Sequence, residues 1–129
     1  MASRDLVNSI SVAQTLAPGT RTANENGAGV DLQGYESAVV VVETGTITDG
    51  THTIEIQESD DNSTFTAVAD ADLQGSEPVI GAADDNKVYE IGYLGNKRYI
   101  RVSVTVAGTT TGGVYGAAVI RGHAKSKPA

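Results

Sequence analysis

The run Asn96–Gly122, NKRYIRVSVTVAGTTTGGVYGAAVIRG, decides how this chain is read. From Ile100 the apolar residues fall on every second position: Ile100, Val102, Val104 and Val106, with Arg101, Ser103 and Thr105 between them. A period of two belongs to a strand with one buried and one wet face, not to a helix. The stretch from Gly108 to Gly113 interrupts the pattern, which resumes at Val114. This predicts two long strands joined as a hairpin. No residue in the run carries chemistry of its own, so it points to a β scaffold that works through its surface.

Working outward, the same signature recurs. Residues 88–93, VYEIGY, read as a strand that turns through Leu94-Gly95-Asn96 into the long pair. Residues 52–58, HTIEIQE, place Ile54 and Ile56 on one face, after a turn at Thr48-Asp49-Gly50. Ser59 to Ser63, SDDNS, is a turn cluster, because Asp and Asn side chains cap nearby backbone. A short strand is expected over 64–69 and an acidic loop over 70–86, with an apolar piece at Pro78 to Ile80. Residues 37–43, SAVVVVE, do not alternate; four consecutive valines predict a central strand covered on both faces. About seven or eight short strands without a helical period predict an all-β, single-domain antiparallel β-sandwich, jelly-roll-like or Ig-like.

The two ends lack core patterning. Residues 14–29, QTLAPGTRTANENGAG, are punctuated by Pro18, Gly19, Asn24, Asn26, Gly27 and Gly29. They read as a long loop or arm that follows a short strand at 6–13. The expected division is a strand and arm over 1–27, a β-sandwich over 28–122 and a basic flexible tail over 123–129. Interaction contacts are expected in the two ends, through Arg4, Leu6, Arg21, Arg121, Lys125 and Lys127. On this reading, deleting 1–27 would leave a folded domain that no longer attaches to its partner.

Composition bounds the function. The 129 residues carry 9 basic and 16 acidic side chains and no Cys, for a formal charge of −7. General nucleic-acid binding needs a basic footprint and is not expected. Without Cys there is no disulfide framework, thiolate nucleophile or zinc knuckle. The opening, MASRDLVNSISVAQ, has no apolar core of a secretion signal, and no run approaches the roughly 20 apolar residues of a membrane span. A soluble protein made in the cytoplasm is expected. Arg121, Lys125 and Lys127 fall in the last nine residues, leaving six basic against sixteen acidic before them. A frayed terminus explains that asymmetry, and so does a tail that docks on an acidic neighbour.

Candidate chemistry is sparse. His52 beside the Asp49-Gly50 turn and His123 near the end read as turn or surface histidines without an orienting partner. No G-x-S-x-G elbow is present. The acidic pairs Asp60/Asp61, Asp70/Asp72 and Asp84/Asp85 read as loop carboxylates. Asp70 to Gly75 begins like an EF-hand loop, but Gly81 stands where the bidentate Glu is needed. GTTTGG at 108–113 is followed by a strand rather than the helix of a phosphate-binding loop. No catalytic, metal or cofactor site is expected. Tyr89, Tyr93, Tyr99 and Tyr115 read as core-edge aromatics, with stacking on a sugar or base as the alternative.

Two stretches carry a family resemblance: ITDGTHTIEIQESDDNSTFTAVADADLQGS (47–76) and YEIGYLGNKRYIRVSVTVAGTTTGGVYGAAVIRGH (89–123). With SISVAQTLAPGTRTANENGAGVDLQGY (9–35), they resemble small β-rich virion proteins of tailed bacteriophages, encoded near the major capsid gene. The resemblance is one of linear pattern and length. It implies a capsid decoration, or cement, protein on the outer shell of the virion. The implied partner is the major capsid protein, and the implied state is a homo-oligomer, with a trimer favoured. A neck, tail or head-fibre subunit is the alternative within that class. ESDDNSTFTAV and KRYIRV also resemble discoidin-type carbohydrate-binding modules, which implies a glycan site at Tyr93 or Tyr99.

Overall fold

Alternating Val, Ile and Thr build eleven strands among the described residues of the computed structural model, which describes residues 6–124. In chain order they are β1 Ile10–Arg21, β2 Glu25–Asn26, β3 Val30–Asp31, β4 Tyr35–Ile47 and β5 Thr51–Ser59. They continue as β6 Thr66–Ala67, β7 Leu73–Gln74, β8 Val79–Ile80, β9 Val88–Tyr93, β10 Tyr99–Ala107 and β11 Gly113–Ala124. One sheet runs β1-β11-β4-β9-β7, and the other has β10 and β5 at its centre, with β2 and β3 on β10 and with β6 and β8 on β5. Every pairing is antiparallel. The fold is an all-β sandwich.

The core lies between the sheets. Leu16, Val40, Val42, Ile91 and Val119 face it from the first sheet, and Ile54, Ile56, Ile100, Val102 and Val104 from the second, none more than 2% exposed. Each such side chain contributes about 1.5–3 kcal/mol by leaving water. The inside-outside reading of 100–106 holds at Ile100, Val102 and Val104, and Val106 is partly buried against the core.

The long pair is not a hairpin. β10 pairs with β5 in one sheet, while β11 pairs with β1 and β4 in the other. The 108–112 loop therefore carries the chain across the core, so that the apolar faces of β10 and β11 look at each other. The links β4 to β5 and β9 to β10 cross in the same way. Alternation shows which side of a strand is buried but not which strand lies beside it.

The arm expected over 14–29 is also corrected. β1 runs to Arg21 and pairs along β11 from Ile10↔Gly122 to Arg21↔Gly113. Its register shifts between Gln14 and Leu16 and again between Leu16 and Gly19, and these bulges hide the period of two. Pro18 sits in the second irregularity of an edge strand, where no ladder N–H is required. A side chain at Gly116 would come within 2.9 Å of the Pro18 backbone, so glycine there lets the bulge approach. Thr15 is buried; its hydroxyl donates to the Ala28 carbonyl at 2.7 Å and accepts the Val102 N–H at 3.1 Å. It thus ties the edge of one sheet to the centre of the other. At the other end, β11 extends through His123 and Ala124, the latter opposite Tyr35, so the expected tail begins no earlier than 125.

Candidate interaction surface

The polar groups that stand out in the sequence are largely used inside the fold. The GTTTGG loop does present a cradle of backbone N–H groups, and the chain's own Asp49 fills it. The Asp49 carboxylate accepts from Thr110, Thr111 and Gly112, the last at 2.7 Å, and these bonds hold its pKa below the usual carboxylate value. Thr48 N–H donates to the Gly112 carbonyl at 3.0 Å, so two sheet-to-sheet links are stapled together. Gly112 has φ +86°, and a Cβ there would collide with the Arg21 carbonyl, which makes glycine necessary.

Of the other acidic pairs, Asp61, Asp84 and Asp85 act as caps. Asp61 accepts from Ser63 and Thr64 N–H and from the Ser59 hydroxyl, which lowers its pKa. Asp84 accepts from Gly81 N–H and pairs with Lys87, with the same result. Asp85 caps the N–H of Ile47 at 2.9 Å. Asp70 and Asp72 form a single 3-10 turn.

His52 is not a surface histidine; it is fully buried. Its Nε2–H faces the Asp49 carbonyl at 3.1 Å, so Nδ1 accepts from the Tyr115 hydroxyl at 2.8 Å. Burial pushes the Tyr115 phenol up to about 12. The Arg21 guanidinium lies 5.1 Å from the centre of the Tyr115 ring. This is a structural cluster at the core edge.

The expected contact residues separate. Arg4, Lys125 and Lys127 lie outside the described residues. Leu6 is 64% exposed and lines a groove of about 320 Å³ with Ile10, Val39, Ile120 and His123. Arg21 is 5% exposed and donates to the carbonyls of Ala17, Gly19 and Tyr115, with Glu25 at 3.1 Å. Its charge is committed within the protein, contrary to the expected surface role. Arg121 is half-buried; it donates to the Asp31 carbonyl at 3.0 Å and Ser11 Oγ at 2.8 Å, over the Tyr35 ring. The structure brings Leu6 to the outer face of the first sheet and does not bring Arg21 or Arg121 there.

Apart from Leu6, that outer face is what the sequence-based site omits. Register aligns Val12, Ile120 and Val39 across β1, β11 and β4, and Gln14, Ala118, Val41 and Glu90 in the next row. Val12 is 57% exposed and Val114 38%, while Val39, Val41, Ala118 and Ile120 are half-buried by one another's flanks. A groove of about 630 Å³ runs over Val12, Val41, Val114 and Ala118. The second sheet's outer face carries Thr53, Glu55 and Gln57 opposite Thr105, Ser103 and Arg101, and it is wet. Single exposed valines are ordinary, such as Val79 opposite Thr53 on the second sheet; rows of them on one sheet mark a face to be covered.

The tyrosines proposed for a glycan site are not free platforms. Tyr93 is 6% exposed, donates to Glu58 at 2.7 Å and accepts Lys97 N–H at 3.1 Å; burial raises its pKa. The Arg98 guanidinium lies 5.0 Å from the centre of the Tyr99 ring. A polar cleft of about 520 Å³ beside them is lined by Tyr35, Asp60, Lys97 and Arg98, whose charged groups pair as Lys97–Asp60 and Arg98–Asp31. No protein family matches this chain, and no curated protein matches it.

Proposed function

We propose that this protein is a structural component of a tailed-bacteriophage virion, a decoration protein that attaches to the outer capsid shell and stabilises it. The observation that carries the reading is the apolar outer face of the five-stranded sheet, set on a sandwich whose other outer face is mostly polar. A surface of that kind acts by binding. Binding the assembled shell in preference to free subunits stabilises the shell by mass action, and many copies act together. The resemblance of residues 47–76 and 89–123 to phage virion proteins supplies the partner, the major capsid protein.

The test mixes the purified protein with expanded empty capsids and with isolated tails of the parent phage, and images both by electron microscopy. Regular density on the shell, with a raised capsid melting temperature, is the expected result. Density on tails or necks would move the protein to the tail, and density on neither would remove the virion reading.

A further inference from the structure

Resting on that reading, we propose that the outer face of the five-stranded sheet is the capsid-docking surface, and that it seats an apolar segment flanked by lysine or arginine. The apolar rows are bordered on one side by carboxylates: Glu90 lies opposite Val41, and Glu43 is two residues further along the same face of β4. Both are exposed, and neither has an ion pair among the described residues. No cation stands on this face among the described residues.

The charge pattern selects the occupant. Each of the six described cations is held within the chain. Arg21 binds carbonyls and Glu25, Lys87 pairs with Asp84, Lys97 with Asp60, and Arg98 with Asp31. Arg101 bonds Gln57 and stacks over Phe65 at 4.0 Å, and Arg121 bonds the Asp31 carbonyl and Ser11. A second copy would bring its own Glu43 and Glu90 to the contact and no uncommitted cation from the described residues. A basic-flanked segment instead covers the valines and supplies the charges the rim lacks.

The size is adequate. β1, β11 and β4 have 12, 12 and 13 residues. At about 3.3 Å per residue and about 4.8 Å between strands, with β9 alongside, the face spans roughly 600–800 Å². A standard stable interface buries roughly 800 Å² on each partner.

The experiment measures binding of the full chain to expanded empty capsids for wild type and three double variants. Val39→Thr with Val41→Thr keeps β-branched shape but adds hydroxyls to the apolar rows. Glu43→Lys with Glu90→Lys reverses the rim, and Thr53→Lys with Glu55→Lys alters the other sheet's outer face. The first two should each weaken binding by about tenfold or more, with melting temperatures near wild type, and the third should not. Wild-type affinity should also fall as salt is raised. If wild type binds capsids and the first two variants bind equally well, the docking face is wrong while the virion reading stands. If wild type does not bind capsids, both fall. A wild-type dimer in light scattering that Val39→Thr with Val41→Thr converts to a monomer would overturn the proposal in favour of a second copy.

Discussion

Arg21 illustrates how a residue type can mislead when its neighbours are unknown. In the sequence it is a cation in a polar, glycine-marked stretch, the kind of residue that usually meets solvent. In the fold it terminates β1 against β11, and its guanidinium donates to the carbonyls of Ala17, Gly19 and Tyr115 beside the bulges of β1. Arg21→Leu should therefore lower stability by about 2–4 kcal/mol, because it strands those carbonyls and frees Glu25 from its partner. Urea denaturation checks this; an unchanged midpoint would mean the cluster is replaceable by packing. His52 was misread for the same reason. Its partner Tyr115 lies 63 residues away, and no local signal announces a contact of that range.

At the scale of elements, β1 behaves oppositely to its local appearance. Pro18, Gly19 and two register shifts look like a loop, yet the strand closes one edge of the first sheet and buries Leu16 at 1% exposure. Deleting residues 1–9 should leave cooperative unfolding intact. Deleting 1–27 should abolish it, because β11 would lose its edge partner and Val102 its Thr15 acceptor. Near-ultraviolet circular dichroism and the dispersion of amide resonances distinguish these outcomes. A well-dispersed spectrum from the longer deletion would restore the arm. The valine run of β4 is the central strand that it predicts, but the structure covers only one of its faces: Val40 and Val42 are buried in the core, and Val39 and Val41 lie half-buried on the outer face.

For the whole molecule, the acid limb of stability follows from the capping carboxylates. The pKa values of Asp31, Asp49, Asp61 and Asp84 are lowered in the fold, by the Arg98 hydrogen bond at Asp31 and by backbone N–H bonds at the others. Their contribution is complete above the unfolded value of 3.8 and is lost as pH falls through the lower folded values. Glu77 runs the other way: burial raises it above 4.5, so its protonation on acidification favours the fold. Thermal unfolding should accordingly show stability holding or rising slightly as pH drops through Glu77's raised pKa, then falling below about 3.8. Asp49→Asn should start from a lower melting temperature at pH 7 and lose less of it below that point. Parallel acid limbs for the two proteins would mean that the staple owes nothing to the Asp49 charge.

The identity of β5, β9 and β10 was written locally, and that of β1 was not. The alternation at 100–106, the apolar pair in 52–58 and the compact 88–93 segment each define a buried side through neighbours two residues apart. The all-β class follows from those residues alone, as do the turn-capping carboxylates of SDDNS. Strand partnership was decided only by the tertiary structure. Whether β11 lies beside β10 or opposite it depends on where the Asp49 staple turns the 108–112 loop, a contact about sixty residues long in sequence. The outer face has the same origin: Val12, Ile120 and Val39 become one row only when three distant strands come into register. Periodicity shows which side of each strand is apolar, but a face exists only once strands are placed side by side.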